Sequence, residues 1–141
     1  MFIQIFLGSI LITATIVIEV IFIQIAIKGL RRWGPHYLNS HRLSHQIILL
    51  SASTLWLLTA LSLSIWIWAF AFWSMGIFEP LERALYFSMV AFTTLGFGDV
   101  TLPQDWRLLS GIIAANGLVL FGLNTAFLIE ILHRILSASE R

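Results

Sequence analysis

The sequence predicts an all-α membrane protein with three membrane-crossing helices and one shorter helix that enters the membrane without crossing it. Hydrophobic residues make up 59% of the 141 residues, charged residues only 11%, and the mean hydropathy is +0.93. A soluble domain carries roughly 25% charged residues. A chain of this size could not hide so much apolar surface from water, so the bilayer must surround most of it. The absence of cysteine excludes disulfides, thiolate metal sites and thiol catalysis.

The first apolar stretch, residues 2–27, exceeds the roughly 20 residues that a membrane helix needs. No basic residue precedes it and no small-residue cleavage site follows it, so we predict a retained helix over residues 1–28 instead of a signal peptide. Within residues 2–27 the only charged residue is Glu19. Because intramembrane carboxylates usually face protein or water, we expect Glu19 to be a neutral acid bonded to a serine of the second stretch. A position near the membrane interface is the alternative.

Two further stretches are long enough to cross the membrane. Residues 46–76 contain no charged residue and are predicted to form an outer helix, while a predicted inner helix covers residues 106–136. The inner helix contains Asn116 and Asn124. We expect both to bond to other helices, with a position facing a cavity as the alternative for Asn124.

A short apolar segment lies between these two helices. Residues 80–93 are predicted to be helical, but at about 1.5 Å per residue this helix is only about 20 Å long. A hydrocarbon core is about 30 Å thick. The glycine-containing backbone that follows is tolerated at membrane depth only inside protein or beside an aqueous path. Residues 80–93 are therefore predicted to be a re-entrant helix.

The distribution of charge predicts the orientation in the membrane. The first connection, residues 29–45, contains Arg31, Arg32 and Arg42, follows directly on Lys28, and has no acidic residue. The region around the short helix carries four acidic residues against two arginines. The positive-inside rule places the connection in the cytoplasm. We expect a multi-pass protein of the cell membrane, in contact with its lipids, with the N-terminus outside and the C-terminus in the cytoplasm.

The most informative segment follows the short helix and reads Thr93-Thr94-Leu95-Gly96-Phe97-Gly98-Asp99. A dehydrated cation needs a dense shell of oxygen atoms, and backbone carbonyls provide one when successive carbonyls face a common axis. That arrangement requires dihedral angles that residues with a Cβ atom disfavour, and Gly96 and Gly98 adopt them without steric cost. The Thr94 hydroxyl can add a further layer of oxygen. The partial negative charge at the C-terminus of the preceding helix also favours a cation.

This segment resembles the Thr-Thr-Val-Gly-Tyr-Gly-Asp signature of potassium channels, with two departures. The run Ala84-Leu85-Tyr86-Phe87-Ser88 resembles the family's pore helix, and residues 117–126 resemble the inner helix of its simplest bacterial members. The likeness is good over residues 79–133 and weak over the outer helix. It predicts a pore module over residues 46–136, to which the first helix is an addition.

The resemblance implies a selectivity filter at residues 94–98. K+ would bind at Thr94, Leu95, Gly96 and Phe97, and Gly98 would complete the filter. Four neighbours would support it, namely Thr93, Asp99, Tyr86 and Phe87. Apart from K+ as the permeant ligand, no cofactor is expected.

One chain contains one such segment, whereas filters of this type are built from four loops. Closed cyclic symmetry is the usual arrangement of homo-oligomers. The predicted assembly is a fourfold homotetramer in which three further copies of the chain complete the filter. The net charge of +1 argues against a nucleic-acid partner.

The filter and the short helix before it both depart from the family pattern. Phe97 replaces the usual tyrosine and lacks the hydroxyl that anchors the filter, and Val90 stands where some bacterial relatives have a glutamate. Asp99 then lacks an acidic partner, and Tyr86 is its nearest candidate donor by analogy. We expect packing to hold this filter more than hydrogen bonds do.

The inner helix carries the candidate gate. By resemblance Gly117 is a hinge, an interpretation that we favour slightly over a small residue that allows close helix packing. Four residues repeat at four-residue spacing on one face that would line the cavity: Phe121, Thr125, Ile129 and His133. Ile129 would narrow the inner mouth. Four copies of His133 could form a pH-sensitive ring, although an interfacial histidine without a gating role is the favoured interpretation.

The predicted function is a potassium-selective channel subunit. The alternatives are a non-selective or sodium-conducting channel, and a non-conducting accessory subunit. An enzyme is not expected, because the sequence has no Gly-x-Ser-x-Gly, His-Glu-x-x-His or phosphate-binding loop.

Overall fold

The computed structural model describes residues 2–38 and 43–139, with the side chains of residues 33–43, 138 and 139 left undescribed. Within those ranges the chain is helical and contains no strand. Three helices are long and apolar enough to cross a membrane, which confirms the predicted all-α membrane protein. The elements in chain order are α1 (Phe2–Leu38), α2 (Leu43–Ser74), α3 (Leu81–Phe92), a 3-10 turn (Gln104–Trp106) and α4 (Leu108–Ser139).

The helix ends differ from the predicted ones. Helix α1 continues past residue 28 to Leu38, since an apolar pattern marks the extent of the membrane span and backbone hydrogen bonding marks the end of the helix. Residues 39–42, which include Arg42 of the predicted cytoplasmic connection, lie outside the described residues.

Helix α2 ends two residues before Gly76. Gly76 has a φ of 67°, and the next amide, that of Ile77, donates to the carbonyl oxygen of Phe72 at 3.1 Å. A left-handed glycine with this bond pattern closes a helix and satisfies its last carbonyls. The chain can then turn into α3.

Aromatic side chains seat the short helix α3 against α2. The Phe87 ring of α3 lies 5.4 Å from the Phe72 ring and 5.0 Å from the Phe78 ring. All three side chains are buried, together with Trp68 of α2. With 12 residues, α3 is about 18 Å long. It fixes the position of the segment that follows it.

Helix α4 approaches the end of α3 at Gly117. A Cβ atom at Gly117 would lie 1.9 Å from the Phe92 carbonyl oxygen and 2.8 Å from the Phe92 carbonyl carbon. The Phe92 side chain itself is fully buried. This contact supports the close-packing interpretation of Gly117, and the hinge interpretation stays a prediction.

Helix α1 lies along α4 and runs in the same direction. Near the start of both helices, the Gln4 Oε1 atom accepts a hydrogen bond from the Leu108 amide at 3.1 Å. Further along, the Asn116 Nδ2 atom donates to the Thr15 hydroxyl at 2.8 Å. The prediction that Asn116 bonds to another helix is confirmed. The first helix is attached to the inner helix by buried polar contacts.

The predicted bond between Glu19 and a serine of α2 is wrong. The carboxyl group of Glu19 makes no hydrogen bond within the described ranges and lies beside the Asn124 side chain of α4. A serine of α2 was expected as the partner because hydroxyl groups are the most frequent polar groups in that uncharged stretch of sequence. Six hydroxyl groups of α2 bond to carbonyl oxygens of α2 itself, as Ser64 does to Ala60.

Candidate functional site

The segment after α3 is tied to the last turn of that helix. The amides of Leu95 and Gly96 both point to the carbonyl oxygen of Val90, at 3.0 and 3.4 Å. The Thr93 hydroxyl donates to the Met89 carbonyl oxygen at 2.8 Å. These bonds satisfy carbonyls that would be unpaired at a helix C-terminus. Together with the Thr94 amide, which donates to the Ala91 carbonyl oxygen, these bonds direct the first three N–H groups of residues 94–98 towards α3.

The backbone of residues 94–98 alternates in handedness. Thr94, Gly96 and Gly98 have φ values of 61°, 56° and 77°, and no other residue of this segment has a positive φ. An extended chain points successive carbonyl groups to opposite sides, and a positive φ at every second residue is the departure that allows them to face one axis. Among the described residues, no hydrogen bond is made to a carbonyl oxygen of residues 94–98. These carbonyl oxygens therefore remain available as acceptors within the part of the chain that the structure describes.

Thr94 has a positive φ that its residue type did not predict. A β-branched residue with positive φ is an outlier, and such strain persists only where the surrounding contacts enforce it. The Thr94 amide donates to the Ala91 carbonyl oxygen at 3.0 Å. The spacing of the glycines could have indicated it, because counting back in steps of two from Gly98 and Gly96 reaches residue 94.

A hydrogen bond from α3 holds the residue after the segment. The Tyr86 hydroxyl donates to Asp99 Oδ2 at 2.6 Å, and Asp99 Oδ1 accepts from the Val100 amide at 3.0 Å. The bond from Tyr86 lowers the pKa of the Asp99 carboxyl below its ordinary value and raises the pKa of the Tyr86 hydroxyl. Tyr86 is thus the donor to Asp99 that the sequence suggested.

Replacing Tyr86 by phenylalanine is expected to raise the pKa of Asp99, because the largest cause of its depression is removed. In the wild type, the stabilisation from this bond is present above the ordinary aspartate pKa and is lost as the pH falls through the lowered value. Carbon-13 NMR of aspartate-labelled protein measures the midpoint. Asp105, the other aspartate of the chain, provides the reference signal in both proteins. An Asp99 midpoint that does not move would contradict the bond.

The apolar side chains of the segment are not covered by their own chain. Leu95 is 60% exposed and Phe97 is 66% exposed. Phe87, by contrast, is buried in the core between α2 and α3. Val90 is also buried and lines a cavity of about 340 Å³ together with Thr94, Gly96 and Gly98. The predicted apolar surroundings of Phe97 are therefore absent from a single chain.

The four residues predicted to face a cavity lie on an exposed face of α4. Phe121 lies next to the end of α3, since its ring is 6.0 Å from the ring of Phe92, the last residue of that helix. The Thr125 hydroxyl donates to the Phe121 carbonyl oxygen at 2.8 Å. Ile129 and His133 are exposed further along the helix, with His133 about 18 Å beyond Phe121 at the usual helical rise. A single chain thus leaves this face open and does not bring Ile129 or His133 to residues 94–98.

Comparison with known protein families gives a match over a large part of the chain. A family model described as "Ion channel" matches residues 52–134, more than half of the chain, which include α3, residues 94–98 and most of α4. No significant match is found among curated proteins or solved structures.

Proposed function

The chain belongs to the ion channel family, and from that premise we propose that it is one subunit of a homotetrameric potassium-selective channel. It would pass K+ down its electrochemical gradient between carbonyl oxygens of residues 94–98. The observation that carries this proposal is the alternating φ sign at Thr94, Gly96 and Gly98, together with carbonyl oxygens that accept no hydrogen bond in the described ranges.

The proposed ion sites follow from the chemistry of these oxygens. K+ loses its water only if protein oxygens replace the hydration shell at low cost. Carbonyl oxygens that accept no hydrogen bond in the described ranges, on a backbone held to α3 by the amides of residues 94–96, need little rearrangement to do so. The sites would lie at Thr94, Leu95, Gly96 and Phe97, with Gly98 completing the row. K+ is the only ligand that this function requires.

The tetramer is proposed from what one chain leaves open. A ring of carbonyls around an ion needs several copies of the segment, and filters of this type use four. The exposed side chains of Leu95 and Phe97 give neighbouring copies an apolar surface to cover. The exposed face of α4 with Thr125 and Ile129 would line the cavity below, and His133 its inner end.

Two other functions compete with this proposal. A sodium-conducting or non-selective channel would need fewer or wider sites, and the three alternating positive φ values favour a complete row. A non-conducting accessory subunit would have no use for a row of unpaired carbonyls. The orientation proposed for the channel, with the N-terminus outside the cell, rests on the basic residues at the end of α1.

Purified protein in liposomes is expected to carry K+ and to exclude Na+. With K+ on one side and Na+ on the other, the reversal potential should lie close to the K+ equilibrium value, and native mass measurement should give four chains. A reversal potential near zero would favour the non-selective alternative. Absence of flux in liposomes that respond normally to a K+ ionophore would favour the accessory role.

A further inference from the structure

Glu19 has surroundings that the proposed channel function leaves unexplained. Its side chain is fully buried, and both carboxyl oxygens lack a hydrogen-bond partner among the described residues. Asn124 of α4 is buried as well, and neither its amide nitrogen nor its amide oxygen has a partner there. The two side chains lie beside each other across the α1–α4 contact. Four polar atoms thus meet at membrane depth without a well-aligned bond.

The protonation state of Glu19 decides whether these atoms can pair. A neutral carboxylic acid has one donor and one free acceptor, and the asparagine amide offers the complementary set. The acid can then donate to Asn124 Oδ1 and accept from Asn124 Nδ2. An ionised carboxylate has no donor, so it can accept from Asn124 Nδ2 but leaves Asn124 Oδ1 unpaired, and it is strongly disfavoured inside a membrane.

Among the side chains that the structure describes on α1, α2 and α4, no other charged group compensates a negative charge at this depth. Helix α2, which packs against α1, has no ionisable residue from position 46 to position 74. On α4 the nearest ionisable residue is Glu130, which is exposed and pairs with Arg134 at 2.7 Å. On α1 the nearest is Lys28, nine positions further along the helix. Protonation is therefore the available way to neutralise Glu19.

The position of Asn124 connects this pair to the pore. Asn124 precedes Thr125, which belongs to the proposed cavity-lining face of α4. One helical turn before Glu19, Thr15 of α1 is already bonded to Asn116 of α4. A bond at Glu19 extends that attachment towards the inner half of α4, beyond the point at which Gly117 packs on Phe92. This inner half is the part that would have to move to open or close the inner mouth.

We propose that Glu19 is a positioning residue for α4: as a neutral acid it bonds to Asn124 and holds the inner helix against α1, and its deprotonation releases the helix. Ion flow then depends on pH through the first helix. The proposal rests on the proposed channel function, because its effect on flow presupposes that α4 lines the pore.

The test compares K+ flux in liposomes for wild type and Glu19→Gln between about pH 5 and about pH 9. This range covers the pKa values documented for buried glutamates in proteins. Glutamine keeps one donor and one acceptor but cannot ionise. Wild-type flux is expected to change by about fivefold or more across this pH range. Fivefold is the lower end of the effect that one site typically has on another. The Glu19→Gln flux should stay level. A variant that keeps the wild-type pH profile would overturn the proposal.

Two control variants separate Glu19 from other titrating groups. Glu130→Gln makes the same chemical change at an exposed residue and should keep the wild-type pH profile. His133→Ala should also keep it. If His133→Ala removes the dependence and Glu19→Gln does not, the histidine ring is responsible and the role of Glu19 is rejected. Should Glu19→Gln fail to fold, Glu19→Leu carries the same comparison.

A second measurement does not depend on conduction. Thermal unfolding in detergent should show the wild type less stable at about pH 9 than at about pH 5, and Glu19→Gln equally stable at both. A pH-independent wild type would overturn the proposal. If the wild type passes no ion at any pH yet shows this stability difference, the channel function fails and the Glu19–Asn124 bond stands.

Discussion

A Gly117→Ala chain is expected to lose most of its folded population. The added Cβ atom would lie 1.9 Å from the Phe92 carbonyl oxygen, a backbone atom that no side-chain rotation can move away. Overpacking costs about 1–3 kcal/mol and occasionally more. Because α4 or the end of α3 must shift as a whole here, we expect a loss of about 3 kcal/mol or more in the free energy of unfolding. Thermal unfolding in detergent and the yield of assembled protein measure it.

Gly122→Ala is the matched control. Gly122 lies in the same helix, and a Cβ atom there meets nothing within 4 Å in the described part of its own chain. Alanine is favoured over glycine in a helix interior by about 1 kcal/mol. The two variants should thus change stability in opposite directions. Equal stability of Gly117→Ala and Gly122→Ala would show that α4 does not approach Phe92 as described.

Replacing Gly96 by alanine is expected to abolish selective K+ flux. Gly96 has a φ of 56°, and no side-chain clash is involved, since the nearest atom to a Cβ would be the Thr94 oxygen at 4.0 Å. The left-handed conformation costs an L-residue with a Cβ about 1–2 kcal/mol, and a tetramer would bear that cost four times. Relief of this strain would rotate carbonyls away from the common side. Flux per assembled protein in liposomes is the measurement.

Gly76→Ala provides the control for backbone strain. Gly76 has a φ of 67° and open space around a Cβ among the described residues, so the substitution imposes a similar local cost at the end of α2. It should lower the yield of folded protein without changing the flux or the selectivity of what folds. If both variants lose flux to the same degree, the effect of Gly96→Ala reflects folding and not the carbonyl row.

Hydropathy and spacing predicted much of this structure because they are local properties. An uninterrupted apolar run must become a membrane helix, since only a helix satisfies its own backbone in lipid. Gly96 and Gly98, two positions apart, predicted an alternating backbone. The backbone of Thr94 escaped notice because its side chain is typical of ordinary strands. Its conformation comes from the bonds that tie the segment to α3.

Glycine and asparagine in α4 show where local information ends. The sequence left Gly117 as a hinge or a packing residue, and its distance to Phe92 across 25 positions supports packing. Helix ends were also missed where the apolar pattern stopped before the helix did, as at Leu38. The role of Gly117 depends on which helix surfaces pack against each other, which neighbouring residues in the sequence do not show.

The sequence by itself determined three membrane-crossing helices, a short apolar helix and a glycine-containing segment after it, since each follows from neighbouring residues. Only the tertiary structure decided that α1 lies along α4 and that Glu19 faces Asn124 instead of a serine of α2. Thr15 and Asn116 are 101 positions apart in the chain. No local pattern links residues so distant; their pairing follows from how whole helix surfaces pack and exclude lipid.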